Sequence, residues 1–127
     1  MRPEDLASRL HDLAVAIIRL LNRLPTRIGA REVAGQITRS STGAAANYRS
    51  ACRGRSRREF VAKLGVALEE AEETVGWLEM MRDAGLAAGE DLAPLLAEAQ
   101  QLRAILAASC RTARRNLRNQ INKSTNQ

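Results

Sequence analysis

Apolar residues recur along this chain at alternating steps of three and four, which is the spacing of one face of an α-helix. The first stretch shows the pattern most clearly, with Leu6, Leu10, Leu13 and Ile17. Four such stretches predict helices over residues 4–24, 29–53, 57–82 and 91–117. Because short links join these amphipathic helices, the pattern favours an all-α fold, an antiparallel up-and-down four-helix bundle.

The length and composition agree with a single helical domain. A chain of 127 residues is the usual size of one domain, and the pattern places the bundle at residues 1–117. Apolar residues make up 45% of the chain but aromatic residues only 2%, so Leu, Ile, Val and Ala must form the core. That composition favours helices over sheets. The polar residues 118–127 lack apolar periodicity and predict a disordered tail.

The link between the second and third helices carries local helix signals. Gly54 is expected to end the second helix in a left-handed conformation. Ser56 and Glu59 have the spacing of a capping box, in which each side chain satisfies a backbone N–H of the other residue. Gly43, within a run of small residues, predicts either a close helix crossing or a bend.

Charge is distributed unevenly along the chain, whose net charge is +6. Residues 31–63 hold eight basic and two acidic side chains, whereas residues 69–98 hold nine acidic and one basic. No acidic residue follows Glu98. A basic balance of this kind favours a polyanionic partner such as nucleic acid.

Two groups of arginines are the candidate nucleic-acid contacts. One group surrounds the link between helices two and three, and the other lies near the C-terminus. Clustered arginines suit the phosphate backbone of RNA or DNA, and the scarcity of aromatic residues argues against base stacking, so binding should be non-specific. The alternative is a solvated surface whose charges pair with acidic neighbours. The candidates are Arg49, Arg53, Arg55, Arg57, Arg58, Arg111, Arg114, Arg115 and Arg118.

A second group of residues is assigned to helix packing or an oligomer interface. Polar side chains between packed helices need hydrogen-bond partners, and Tyr and Trp commonly occupy cores and interfaces. The glutamates of the third helix are expected to meet arginines of a neighbouring helix or subunit. In a head-to-tail ring, residues 31–63 of one subunit would face residues 69–98 of the next. The group is Arg39, Ser40, Asn47, Tyr48, Glu70, Glu73 and Trp77.

The chain shows no recognisable catalytic constellation. Carboxylate metal sites in bundles use Glu-x-x-His motifs, which are missing here, and His11 is the only histidine. Cys52 and Cys110 lack metal-binding spacing and are expected to be reduced thiols. We therefore expect no enzyme activity, metal or cofactor. Without a signal-peptide core or an apolar run of about 20 residues, a cytoplasmic protein without membrane contact is expected.

The stretch QITRSSTGAAANYRSACRGRSRREFVAKLGVALEEAEETVGWLEMM, from Gln36 to Met81, resembles the bacterial four helix bundle protein family, also called large-subunit rRNA intervening-sequence proteins. The resemblance covers roughly residues 5–115. It rests on the order and spacing of small pieces, namely Gln36, Arg39-Ser40, Ala46-Asn47-Tyr48, Glu59-Phe60, Lys63-Leu64, Ala67, Glu70-Ala71, Glu73-Thr74 and Trp77-Leu78, with Leu24-Pro25 ending the first helix.

The resemblance implies a homopentameric ring. One branch of the family, the accessory variability determinant of diversity-generating retroelements, implies a basic pentamer that binds a reverse transcriptase and nucleic acid. Ser50 departs from the pattern, because many members have Glu there. The leading hypothesis is a non-enzymatic accessory protein that binds nucleic acid and a reverse transcriptase. The alternative is a structural or protein-binding oligomer without a nucleic-acid role.

Overall fold

The computed structural model describes residues 1–125, which fold into four α-helices. Each helix packs against its two neighbours around a closed ring, α1 on α2, α2 on α3, α3 on α4 and α4 on α1. The predicted all-helical class and the four-helix architecture are therefore confirmed, and no strand occurs among the described residues. The helices are α1 Pro3–Asn22, α2 Ile28–Cys52, α3 Arg57–Asp83 and α4 Gly89–Thr125.

The core is built from the aliphatic residues that the periodicity selects. Ile37, Leu64, Leu102 and Leu106 are at most 1% exposed, and Ala67 fills the narrow space between helices. Full burial of one such Leu or Ile side chain stabilises the fold by roughly 1.5–3 kcal/mol. The long-range order of the bundle therefore comes from a continuous apolar interior shared by all four helices.

Helices α2 and α3 approach closely along a stripe of small and polar residues. The hydroxyl of Thr74 donates to Ser40 Oγ at 2.9 Å, and both residues are buried. A Cβ on Gly43 would lie 3.0 Å from the carboxyl carbon of Glu70. Helix α2 runs unbroken through Gly43. The close approach is confirmed, and its partner is a side-chain carboxylate.

The link between α2 and α3 differs from the sequence expectation in two details. The hydroxyl of Ser56 accepts from the Glu59 N–H at 3.1 Å, but the Glu59 carboxylate pairs with Lys63 at 3.2 Å instead of completing the capping box. Over residues 1–125 only Gly85 has a positive φ, so the left-handed Gly54 was wrong. Gly54 is needed because a Cβ there would lie 3.0 Å from the Ala51 carbonyl oxygen.

Helix α4 continues to Thr125, beyond its predicted end at Leu117. The predicted disordered tail therefore differs from the structure at residues 118–125, which are exposed but helical. Extending an existing helix adds one hydrogen bond per residue without a new nucleation step, so apolar periodicity is not required. The hydroxyl of Ser124 also donates back to the carbonyl of Gln120 at 3.2 Å. Residues 126–127 of the predicted tail lie outside the described residues.

Candidate nucleic-acid interface

The two groups of arginines lie at the same end of the bundle. Because α3 and α4 are antiparallel, α3 begins beside the last turns of α4. Ser56, Arg57 and Arg58 at the start of α3 line a cleft of about 520 Å³ together with residues of α4. The α4 residues in that cleft are Leu117, Gln120, Ile121, Ser124 and Thr125. We call residues 49–63 and 111–125 together the basic end.

The basic end carries a large surplus of positive charge. Residues 49–63 contain six basic side chains and one acidic, and residues 111–125 contain five basic and none acidic. All nine candidate arginines are exposed. Among the described residues, none of the nine lies within 4.0 Å of a carboxylate. The surplus is therefore available to an anion outside the chain.

The last turns of α4 present two polar rows on different sides of the helix. Arg111, Arg114, Arg115 and Arg118 form the arginine row, and Asn116, Asn119, Gln120 and Lys123 form the amide–lysine row. Each row has the spacing i, i+3, i+4, i+7, and at 3.6 residues per turn the rows are centred roughly 140° apart. The candidate arginines of α4 and those around Arg57 therefore do not form one continuous patch.

The amide–lysine row faces a depression that we call the polar cleft. Its volume is about 530 Å³. It is lined by Arg57, Asn116, Asn119, Gln120, Lys123 and Ser124. The sequence analysis did not single out Asn116, Asn119, Gln120 or Ser124, and the last three lie past Leu117, where α4 was expected to end. The i, i+3, i+4, i+7 spacing that ends at Lys123 was the available signal.

The arginine row lies beside α3 on the other side of α4. The guanidinium of Arg114 lies near Gly65, 3.7 Å from where a Cβ would stand. Arg114 also acts on the buried Cys110 thiol: burial raises the pKa of Cys110, and the positive charge of Arg114 offsets part of that rise. Cys110 and Cys52 are both free, and Cys52 is exposed.

Tyr48 is separated from the other residues assigned to an interface. It is 5% exposed and forms part of the floor of an apolar groove of about 540 Å³ between the start of α1 and α4. Burial, followed by the neighbouring Cys52, raises the pKa of the Tyr48 phenol. Tyr48 is therefore a neutral packing residue in this chain. Phe60 and Ile105 line the same groove.

The other six residues of the interface group lie on α2 and α3, and we call the contact between these two helices the α2–α3 seam. Ser40 is buried, Trp77 is half-buried, and Arg39 and Glu73 are exposed. The Asn47 side chain donates to the Gly43 carbonyl at 2.9 Å, which satisfies it within its own helix. Their role in an oligomer stays a prediction.

The negative charge of the Glu70 carboxylate is disfavoured by its surroundings in the α2–α3 seam. Burial raises its pKa, and the nearby carboxylates of Glu73 and Glu69 raise it further. Within residues 1–125, no cation lies within 4.0 Å of the Glu70 carboxylate. The Glu70 carboxylate therefore carries its charge without a basic partner among residues 1–125.

The chemistry available at the basic end is the attraction of anions. Guanidinium, ammonium, amide and hydroxyl groups all donate hydrogen bonds to phosphate oxygens. No group of three or more His, Cys, Asp or Glu residues in the described part of the chain is placed to hold a metal ion. No helix in residues 1–125 is long and apolar enough to cross a membrane.

Comparison with known proteins places this fold in a family. The sequence model described as "23S rRNA-intervening sequence protein" matches residues 5–108. The chain belongs to this family. The match includes the α2–α3 seam and the link between those helices, and it ends before the arginine row and the amide–lysine row. The family resemblance of the sequence is thus confirmed, whereas the last turns of α4 lie beyond the matched region.

A solved structure shares the architecture. It is a protein of unknown function from the S23 ribosomal protein family of Bacteroides thetaiotaomicron, with a TM-score of 0.76 and 27% sequence identity. The similarity covers 87% of this chain and 99% of the other. No curated protein matches the sequence. The comparisons establish the family and the fold.

Proposed function

We propose that this protein is a non-enzymatic accessory protein that binds nucleic acid non-specifically through its basic end. The observation that carries the proposal is the convergence of two distant basic segments at one end of the bundle, where their nine exposed arginines have no carboxylate partner among the described residues. We further propose that the bundle acts as a homopentameric ring in the cytoplasm and that its protein partner is a reverse transcriptase, as the resemblance to the retroelement accessory proteins implies.

The physical basis is the release of counterions from a phosphate backbone. Each phosphate that a Lys or Arg neutralises frees a condensed cation, which gives affinity without reading the sequence. Sequence readout from single strands would require aromatic stacking platforms or base-edge contacts. This chain has one Trp, one Tyr and one Phe, and Tyr48 is buried. Binding should therefore respond to salt and not to base sequence.

A structural oligomer that binds only protein is the second candidate. The observation that favours it is the acidic seam, where Glu70 is partly desolvated beside Glu69 and Glu73. A basic surface of a second copy would relieve this cost. In a head-to-tail ring, residues 31–63 of one subunit would supply the arginines to residues 69–98 of the next. In this arrangement the acidic region serves assembly, and some of the arginines serve it too.

A salt titration tests the nucleic-acid proposal. Affinity for a labelled DNA duplex is measured by fluorescence anisotropy between 50 and 200 mM salt. If about five phosphates are contacted, the slope of log K against log salt is about −4.5, and affinity falls roughly 500-fold over that range. Changing the duplex sequence should leave affinity unchanged. Binding at low salt no tighter than to a neutral polymer would contradict the proposal.

Charge reversal on α3 tests the ring. The double variant Glu72→Lys, Glu73→Lys replaces two exposed carboxylates in the acidic region. If that region meets the basic region of the next subunit, the mass measured by light scattering falls towards that of a monomer. The matched control, Glu4→Lys with Asp12→Lys at exposed positions of α1 outside both charged regions, should leave the mass unchanged. An unchanged mass in the Glu72, Glu73 variant would overturn the charge-paired ring.

A further inference from the structure

We propose that the polar cleft is a phosphate-binding site, in which Arg57 and Lys123 hold one phosphodiester group of a nucleic acid from opposite walls. This inference rests on the proposed function and assigns to it a specific place. The cleft brings together the start of α3 and the end of α4, which are far apart in the sequence. It differs from the arginine row, which has more charge but lies on another side of α4.

Every residue that lines the cleft can donate a hydrogen bond to an anion. Arg57 and Lys123 supply positive charge, and the remaining residues are uncharged hydrogen-bond donors. Those donors are Asn116, Asn119, Gln120 and Ser124. Within the described residues, no carboxylate lines the cleft. Two cations would repel a metal ion, whereas a phosphate offers several acceptor oxygens to a guanidinium, an ammonium and amide groups.

The positions of these donors follow from the helical continuation of α4. Asn116, Asn119, Gln120 and Lys123 share one face because they are spaced three and four residues apart. The cleft exists only because α4 stays helical past Leu117. A disordered tail would carry the same residues without placing them opposite Arg57. Because this segment is helical, its polar side chains form an ordered set of hydrogen-bond donors on one face.

The surroundings of the cleft favour a phosphodiester chain over an isolated small anion. The cleft is open, and the neighbouring cleft shares Arg57, Gln120 and Ser124 with it and adds Arg58. Positive charge therefore continues from one depression into the next around the end of α4. A polymer with regularly spaced phosphates can contact both, which increases affinity through effective concentration. A single phosphate can use only one.

Paired double variants test the site against general electrostatics. Arg57→Gln with Lys123→Gln removes two charges from the cleft, and Arg111→Gln with Arg115→Gln removes two from the arginine row. All four residues are exposed, so neither double variant should disturb the core. At 100 mM salt, we expect the cleft variant to bind duplex DNA at least fivefold more weakly than the arginine-row variant. Equal losses would overturn the inference and leave general nucleic-acid binding standing.

A second measurement is independent of nucleic acid. Inorganic pyrophosphate should raise the melting temperature of the wild type and of the Arg111, Arg115 variant, because a ligand that binds only the folded state stabilises it. The Arg57, Lys123 variant should show a clearly smaller rise. Pyrophosphate stabilisation through the cleft without DNA binding would support the anion site and overturn the proposed function. Equal stabilisation of all three proteins would overturn the site.

Discussion

The two ends of the bundle differ in charge. The basic end contains residues 49–63 and 111–125, and the opposite end contains residues 19–31 and 79–91. The opposite end holds five basic and four acidic side chains, whereas the basic end holds eleven basic and one acidic. The opposite end joins its helix termini by two short links, whereas the basic end has one link together with the start of α1 and the end of α4. This difference in charge is the basis of our proposal that the basic end binds an anion outside the chain.

The ends also differ in how firmly the backbone is fixed. At the basic end, the Ser56 hydroxyl caps α3, and the backbone around Gly54 leaves no room for a Cβ. At the opposite end, the structure of residues 1–125 shows no side-chain cap from Arg27 on α2, and Gly29 has no atom within 4 Å of a built Cβ. Arg57 and Arg58 therefore project from a well-defined helix start.

A pair of glycine substitutions tests this difference in backbone fit. Gly54→Ala should destabilise the protein by about 1–3 kcal/mol, because the new methyl group would press on the Ala51 carbonyl and on Phe60. Gly29→Ala should stabilise α2 by up to about 1 kcal/mol, because alanine favours the helix and meets no atom. Urea denaturation measures both. Equal changes of the same sign in the free energy of unfolding would show that the backbone leaves the same room for a Cβ at both ends.

The helix caps provide a smaller test of the same contrast. Ser56→Ala removes the hydroxyl that accepts from the Glu59 N–H and should cost about 1 kcal/mol. Arg27→Ser adds a capping residue where α2 begins and should stabilise the protein by about 0.5 kcal/mol. Thermal unfolding should therefore shift in opposite directions. A loss of stability in Arg27→Ser would contradict the description of that end.

The ion pair between α1 and α4 lies between the two ends and gives the smallest effect. Arg9 Nε donates to Glu98 at 2.9 Å, and this bond, more than the charge attraction, holds the pKa of Glu98 below its usual value of 4.5. The stabilisation is present above pH 4.5 and is lost as the pH falls through the lowered pKa. Glu98→Gln should cost at most about 1 kcal/mol at pH 7 because the pair is partly exposed.

The pH dependence supplies the control for that pair. The difference between wild type and Glu98→Gln should shrink as the pH falls below 4.5. Arg9→Gln, which removes the partner of Glu98, should show the same dependence. If the difference in stability between wild type and Glu98→Gln stays constant with pH, the loss comes from packing and not from the ion pair.

The sequence was sufficient for the fold and for most of the helix boundaries. Apolar spacing determines which residues are buried, and Leu64, Leu102 and Leu106 occupy the core as their periodicity requires. Three details depended on local contacts and on helix continuation, which apolar periodicity does not encode. A Cβ at residue 54 would press on the Ala51 carbonyl, and the Glu59 carboxylate forms an ion pair with Lys63. Residues 118–125 remain helical because they continue a packed helix.

The candidate site was only partly accessible from the sequence. Composition identified the arginines, but their distribution around α4 depends on where that helix ends. Lys123 belongs to the basic C-terminal segment of the sequence, but its place on a helix face was not predicted because the segment was expected to be disordered. Tyr48 was assigned to packing or an interface, and its ring lies in the core. A local pattern predicts which residues share a helix face. It does not predict which helix lies opposite that face. The packing of α3 against α4 is what places Arg57 and Lys123 in the same cleft.

The salt dependence of two matched quadruple variants tests the central claim most directly. Arg53, Arg55, Arg57 and Arg58 are changed to Gln in one protein, and Arg19, Arg23, Arg27 and Arg31 in the other, so that each loses four exposed charges. For duplex DNA, the slope of log K against log salt should decrease in magnitude by about 3 in the first variant and by less than about 1 in the second. Equal slopes in both variants would contradict the assignment of phosphate binding to the basic end.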